Sequence, residues 1–264
     1  MEYTTIKLSR EGMVGIITLC VPPRNSFSKR MLLEAYEAFR EFEADDSIRT
    51  VLMNSTGKNF SAGADADDIR KAFAGGGDNS ITESFSVLGG RLVELIDNYP
   101  KGTIVAARGL CVGGSTAVFN AFDIRVVSDT FSIHDGDIYY GTVGSWGMSS
   151  LRLPIWIGRN KIMDYMFLND DFTAQQAFEL GLVSRVFPDA DLDEESMKIA
   201  RKMSTAAPLA VRYFKECVRK SVYANLEEAR KFELQAAEIV GATEDSKNGL
   251  LAVIEGKQAE FTGK

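Results

Sequence analysis

TIVAARGLCVGGSTAVFNAFDIRVVSD, residues 103–129, contains a complete strand, turn, helix and strand in one passage. TIVAARG is a short β-branched and apolar run of strand type, LCVGGS is a glycine turn, TAVFNAF is an apolar helix, and DIRVVSD returns as a strand. An earlier passage repeats the order. RTVLMNST (49–56) reads as a strand, and GKNFSAGADADDIRK (57–71) is a glycine turn that opens onto an acidic helix start. Strands that alternate with helices in this way predict an α/β core joined by crossover connections.

The remainder of the chain fits around that core. Residues 3–8 and 13–20 flank SREG as the two arms of a hairpin, and VPPRNSFS is a loop ending in a helix N-cap at Ser28. KRMLLEAYEAFREFEAD (29–45) and residues 82–98 place their apolar residues on one helical face. AGGGDNS (74–80) is expected to be a mobile loop. Beyond Pro154 the pattern turns mainly helical, in RNKIMDYMFL, TAQQAFELG, DEESMKIARKMSTA, PLAVRYFKECVRKSV and LEEARKFELQAAEIVGA.

Composition narrows the function classes. The 264 residues are 45% hydrophobic and 25% charged, ordinary for a globular chain. The net charge of −7 argues against general binding to nucleic acid or an anionic membrane, both of which need a cationic face. No apolar run reaches the roughly 18 residues of a membrane span, and the N-terminus lacks a basic-then-apolar leader layout. Three widely spaced cysteines, Cys20, Cys111 and Cys217, form neither a disulfide framework nor a zinc motif, so a reducing cytoplasm is expected. With one histidine, His134, any Ser/His/Asp triad must use that residue, and no metal site is expected.

FSAGAD (60–65) and VGGST (112–116) each follow a strand and precede a helix. Small residues there let backbone N–H groups approach a ligand at the positive end of a helix. One alternative is that each turn only permits tight strand–helix packing. A phosphate cradle is another, although neither turn has Walker A or GxGxxG spacing. Two N–H groups converging on one carbonyl oxygen would make an oxyanion hole.

The order of RTVLMNSTGKNFSAGADADDI, TIVAARGLCVGGSTAVFNAFDIRVVSD and TAQQAFELGLVSRVFP resembles the crotonase, or enoyl-CoA hydratase/isomerase, superfamily, from GIITL to the closing KQAEFTGK. The resemblance implies an α/β spiral of β–β–α turns over residues 1–195 and a helical trimerisation region over 196–264. It also implies homotrimers or dimers of trimers, and an acyl-CoA substrate whose coenzyme A is part of the substrate rather than a cofactor. By it, the N–H groups of Ala64 and Gly114 hold the thioester oxygen, with Ala62 and Gly113 as flanking substrate contacts. Arg24 and Lys257 or Lys264 become phosphate-contact candidates. Phe261 becomes an adenine or pantetheine contact, from its own or a neighbouring subunit. Solvated charges and a tail-anchoring aromatic are the plain alternatives.

The catalytic positions depart from the hydratase pattern. Hydratases of the superfamily share acid–base work between two glutamates. The first of these positions falls on Ala117, beside the small residues Cys111, Ser115 and Thr116. The second falls on Asp137 in SIHDGDIYYGT, and a one-residue gap would move it, so His134 and Asp135 are carried with it. An aspartate's ordinary pKa of roughly 3.9 is low for abstracting a proton beside a thioester, so burial would have to raise it. A turn around Gly136 is the plain reading of both aspartates. Tyr139, Tyr140 and Trp146 are candidates for the wall of an acyl pocket, and Ser145 is a minor polar candidate. One carboxylate suits a proton shuttle of the enoyl-CoA isomerase type, with an atypical hydratase acting on a cyclic dienoyl-CoA close behind. Hydrolytic or reverse-Claisen opening of a cyclic β-keto substrate, with His134 and an aspartate activating water, is the next alternative. A catalytically silent CoA-binding scaffold is the last.

Overall fold

A hairpin starts the chain: β1 (Ile6–Glu11) pairs antiparallel with β2 (Val14–Leu19), Ile6 facing Leu19 and Glu11 facing Val14. The computed structural model describes residues 2–73, 84–140, 144, 146–223, 239, 242–245, 248 and 260–264. The loop expected at 74–80 and the helix expected at 226–242 therefore fall mostly or wholly outside the described residues. After the hairpin comes α1 (Lys29–Ala44), capped by the Ser28 hydroxyl, which accepts from the Met31 N–H. Its apolar face, including Met31, Leu32, Ala35, Phe39 and Phe42, is buried.

Then follow β3 (Thr50–Ser55), α2 (Ala66–Phe73), α3 (Phe85–Asp97) and β4 (Gly102–Ala107). β5 (Leu110–Val112) leads into α4 (Gly114–Asn120), and β6 (Ile124–Ser128) and β7 (Ser132–His134) come next. The rest consists of α5 (Leu153–Ile157), α6 (Arg159–Leu168), β8 (Phe172–Thr173), α7 (Ala174–Glu179), β9 (Arg185–Phe187), α8 (Leu192–Ser204) and α9 (Pro208–Tyr223).

Six strands form one sheet in the order β1-β2-β3-β4-β6-β9, parallel from β2 onward. Every residue of β4 is buried, as expected for a central parallel strand covered on both faces. Val105 and Ala107 face the main core with α1, α3 and α4, while Ile104 and Ala106 pack with Leu192 and Ala200 of α8 on the other face. Residue 195, the expected end of the spiral core, lies inside α8. The packing of that helix on the sheet makes it part of the core layer. The sequence reading did not anticipate the second sheet, β5-β7-β8. It stands beside the carboxyl ends of the parallel strands, where open α/β sheets bind ligands.

Candidate active site

The two glycine turns meet because short strands tie them together. Ser61 bridges Cys111, with the Ser61 N–H donating to the Leu110 carbonyl at 2.9 Å and the Val112 N–H donating to the Ser61 carbonyl at 3.1 Å. On the other side Phe27 bridges Ala64, and the Ala62 N–H donates to the Arg24 carbonyl at 2.8 Å. Gly63 has φ +89°, and a Cβ there would fall 2.7 Å from the Val112 carbonyl oxygen. Only glycine gives the turn both that backbone conformation and that approach. Gly113 caps α4, and its N–H donates to the His134 carbonyl at 2.9 Å, so β7 supports the second turn.

These constraints leave Ala64 and Gly114 on the wall of a single cavity of about 240 Å³. Among the described residues, no acceptor faces the N–H of either. The cavity is also lined by Gly113, Ala117, Asp135, Asp137 and Trp146. Ala117 is buried and brings no functional group to the wall.

The two aspartates differ. Asp135 is buried; its Oδ2 accepts from the Ser149 hydroxyl and, at 3.4 Å, from the Thr116 hydroxyl. Its Oδ1 accepts from the Asp137 N–H at 3.4 Å. Asp137 opens a short 3₁₀ turn (Asp137–Tyr140) and is half-buried; a Cβ on Gly144 would lie 2.9 Å from its Oδ2. Asp135 is therefore held by neighbouring hydroxyls, and Asp137 presents the second carboxylate on the cavity wall.

Two further acids stay protonated. Burial pushes the Cys111 thiol up, and the negative Asp135 adds to this against the opposing Ser115 hydrogen bond. Burial, then Asp135, likewise raises the Tyr165 phenol well above its ordinary range. Neither supplies an anionic nucleophile near neutral pH.

Other candidates lie elsewhere. His134 does not line the cavity: its Nδ1 lies 2.9 Å from Asp171 Oδ1. The antiparallel register of β7 with β8 pairs Ser132 with Thr173 and Ile133 with Phe172, and continues to oppose His134 and Asp171. Phe261 borders a different pocket with Met13 and Arg49, and Arg49 Nη2 donates to the Phe261 carbonyl at 3.5 Å. Arg49 immediately precedes β3, so Phe261 lies at the amino end of the parallel strands, away from Ala64. The Lys264 carbonyl accepts from the Asp245 N–H in the same terminal segment. Within one chain, therefore, neither Phe261 nor Lys264 reaches the cavity. Arg24 is exposed and adjoins the first turn through its carbonyl. The Tyr139 hydroxyl donates to the Phe167 carbonyl at 2.5 Å, and Tyr139 is exposed rather than lining the cavity. Ser145, Lys257 and the side chain of Tyr140 lie outside the described residues.

A family model for enoyl-CoA hydratase/isomerase matches residues 9–264. The chain belongs to this family. Among its relatives, a probable enoyl-CoA hydratase of Mycobacterium bovis is 31% identical over 264 residues, covering 99% of each chain. The crotonyl-CoA hydratase of Syntrophomonas wolfei is 27% identical, with 100% of both chains covered. The solved enoyl-CoA hydratase of Bacillus anthracis matches with a TM-score of 0.90 at 26% identity, covering 99% of this chain and 100% of that one. This enoyl-CoA hydratase/isomerase family member thus has the crotonase fold that the resemblance implied.

Several lining residues escaped the sequence reading: Ile69, Phe85, Met148 and Ser149. The pair Gly89-Gly90 inside α3 was a usable signal, because glycine in a helix interior marks a close approach. Nothing local marked Ser149, which matters because its hydroxyl donates to Asp135.

Proposed function

We propose that this family member processes an enoyl-CoA by polarising its thioester carbonyl through the Ala64 and Gly114 N–H groups and moving a proton with Asp137. The observation that carries the reading is one cavity wall with two backbone donors that no described residue engages, the Asp137 carboxylate, and alanine at position 117. Backbone donors suit this chemistry because negative charge builds on the thioester oxygen when a carbon-bound proton leaves.

In the isomerase-type reaction, Asp137 takes a proton from C2 of a 3-enoyl-CoA. The C–H electrons become the C1–C2 double bond of a dienolate, C3=C4 stays in place, and the carbonyl electrons move onto the thioester oxygen. The protonated Asp137 then returns a proton to C4, which shifts the double bond to C2–C3 as the carbonyl re-forms, giving the 2-enoyl-CoA. No other reactant is needed, and one carboxylate serves as base and then acid. The buried Asp135, bonded to Ser149, holds the Asp137 backbone and is not assigned the proton.

Hydration of a 2-enoyl-CoA is the second reading, favoured by the hydratase names of the full-length relatives. Water would add at C3 and a proton at C2, with Asp137 handling both transfers. The hydrolytic reading loses support, since it needs His134 beside the acyl group and His134 instead faces Asp171.

The purified protein would be given 3-enoyl-, 2-enoyl- and cyclic dienoyl-CoA in deuterated water. Isomerisation places deuterium in a shifted alkene, whereas hydration gives a hydroxyacyl product. Ring opening or free acid would favour hydrolysis. Tight CoA binding with no turnover of any substrate would overturn the enzymatic reading in favour of a silent scaffold.

A further inference from the structure

Two glycines from different helices make room for Trp146. A Cβ on Gly89, within α3, would fall 2.0 Å from Trp146 Cε2 and 2.2 Å from Cδ2. A Cβ on Gly114, the first residue of α4, would fall 2.8 Å from Cη2. Neither separation is possible for real atoms, so the indole occupies space that any other residue at 89 would claim. Glycine in a helix interior is less stabilising than alanine, so α3 gives up stability to admit the ring.

The position of that ring matters because Gly114 also presents its N–H to the cavity. The benzo edge of Trp146 lies against the residue that would hold the thioester oxygen, and the acyl carbons leading from that carbonyl must pass the ring. Phe85, Ile69 and Met148 complete the apolar lining of the 240 Å³ space. An apolar void of ~150 Å³ is enough for benzene, so this cavity has room for the thioester and an acyl group of about four to six carbons.

We infer that Trp146, seated on Gly89 and Gly114, is a specificity-determining residue that restricts the acyl group to short chains. The inference rests on the acyl-CoA reading above and names the substrate class within it. A long chain would have to displace the ring from both glycines or leave the cavity.

The test uses saturated butyryl-, hexanoyl- and decanoyl-CoA, which bind without an alkene to react. Affinities would be measured by calorimetry for the wild type, Trp146→Ala, Trp146→Phe and Gly89→Ala. The wild type should favour butyryl- over decanoyl-CoA by tenfold or more. Trp146→Ala should shift that ratio at least tenfold towards decanoyl-CoA while the affinity for free CoA stays unchanged. Gly89→Ala, which unseats the ring without altering it, should shift the ratio in the same direction. Trp146→Phe, a smaller change in volume, should give an intermediate shift and keeps the test available if the alanine variant does not fold. Equal binding of all three chain lengths by the wild type, or an unchanged ratio in the variants, overturns the inference and leaves the acyl-CoA reading standing. Failure of the wild type to bind any of these thioesters overturns both.

Discussion

The Ser115 hydroxyl lies 3.2 Å from the Ser61 carbonyl oxygen, joining the start of α4 to the first glycine turn. Ser115 Oγ itself accepts the Val112 N–H at 2.8 Å, and its proton also faces the Val112 carbonyl at 2.7 Å. One buried side chain thus fixes the spacing between the segments that carry the Ala64 and Gly114 donors.

Ser115→Ala should therefore cost about 1–2 kcal/mol of stability, the range for losing hydrogen bonds to buried backbone groups. Turnover should fall through kcat, because the two donors lose their common brace. Thermal unfolding and steady-state kinetics check this together. A variant with wild-type kcat would mean that the turns keep their spacing without Ser115.

Asp137→Asn should lower kcat by about 10²–10⁴-fold, the usual contribution of a positioned acid–base group. Deuterium entry into the product should fall in proportion, while binding of a saturated acyl-CoA should persist. Retained proton exchange would assign the transfer to another group.

Ser149→Ala removes the hydroxyl that donates to Asp135 Oδ2 inside the core. A buried carboxylate left short of one donor destabilises a fold by about 1–3 kcal/mol. Calorimetric or denaturant unfolding should register that loss. Ser149→Thr, which keeps the hydroxyl, should recover part of it.

Glu34 predicts an acid-sensitive contribution at the far side of the core. This buried carboxylate receives the N–H and hydroxyl of Thr5 at 2.8 and 2.7 Å, and those of Thr4 at 2.8–3.0 Å. Burial raises its pKa, but the Thr5 and Thr4 hydrogen bonds more than offset this and hold it below the ordinary 4.5. A depressed folded-state value gives stabilisation that is complete above the unfolded-state pKa and lost as pH falls through the folded value. Glu34→Gln should be less stable than the wild type by about 1.5–3 kcal/mol at neutral pH. That gap should narrow in urea titrations run progressively below pH 4.5. A constant gap down to acid unfolding would contradict the assignment.

The sequence made the parallel sheet readable because its strands are apolar runs bounded by glycine turns, as in TIVAARG before LCVGGS. It did not reveal β5, β7 and β8, since LCV, SIH and FT are too short for any period to emerge. The same limit left the direction of His134 open. In a strand, alternate residues face opposite sides, and only the pairing with β8 determines that His134 turns to Asp171. HDGD alone could not tell its two aspartates apart, because the hydrogen bonds that set Asp135 apart come from Thr116 and Ser149, residues distant in sequence. Phe261 and Lys264 were carried over from the family resemblance as CoA contacts, and neither lines the cavity.

The proposed polarising donors at Ala64 and Gly114 belong to the main chain. Any replacement short of proline leaves a backbone N–H in place, whereas Ala117, Asp137 and Trp146 can each be exchanged by a single codon change. A lineage built on such a scaffold can therefore try new reactions and new substrates one side chain at a time. Each trial starts with the thioester-activating apparatus already in hand, and a glutamate lost at position 117 would be a change of trade rather than a ruin.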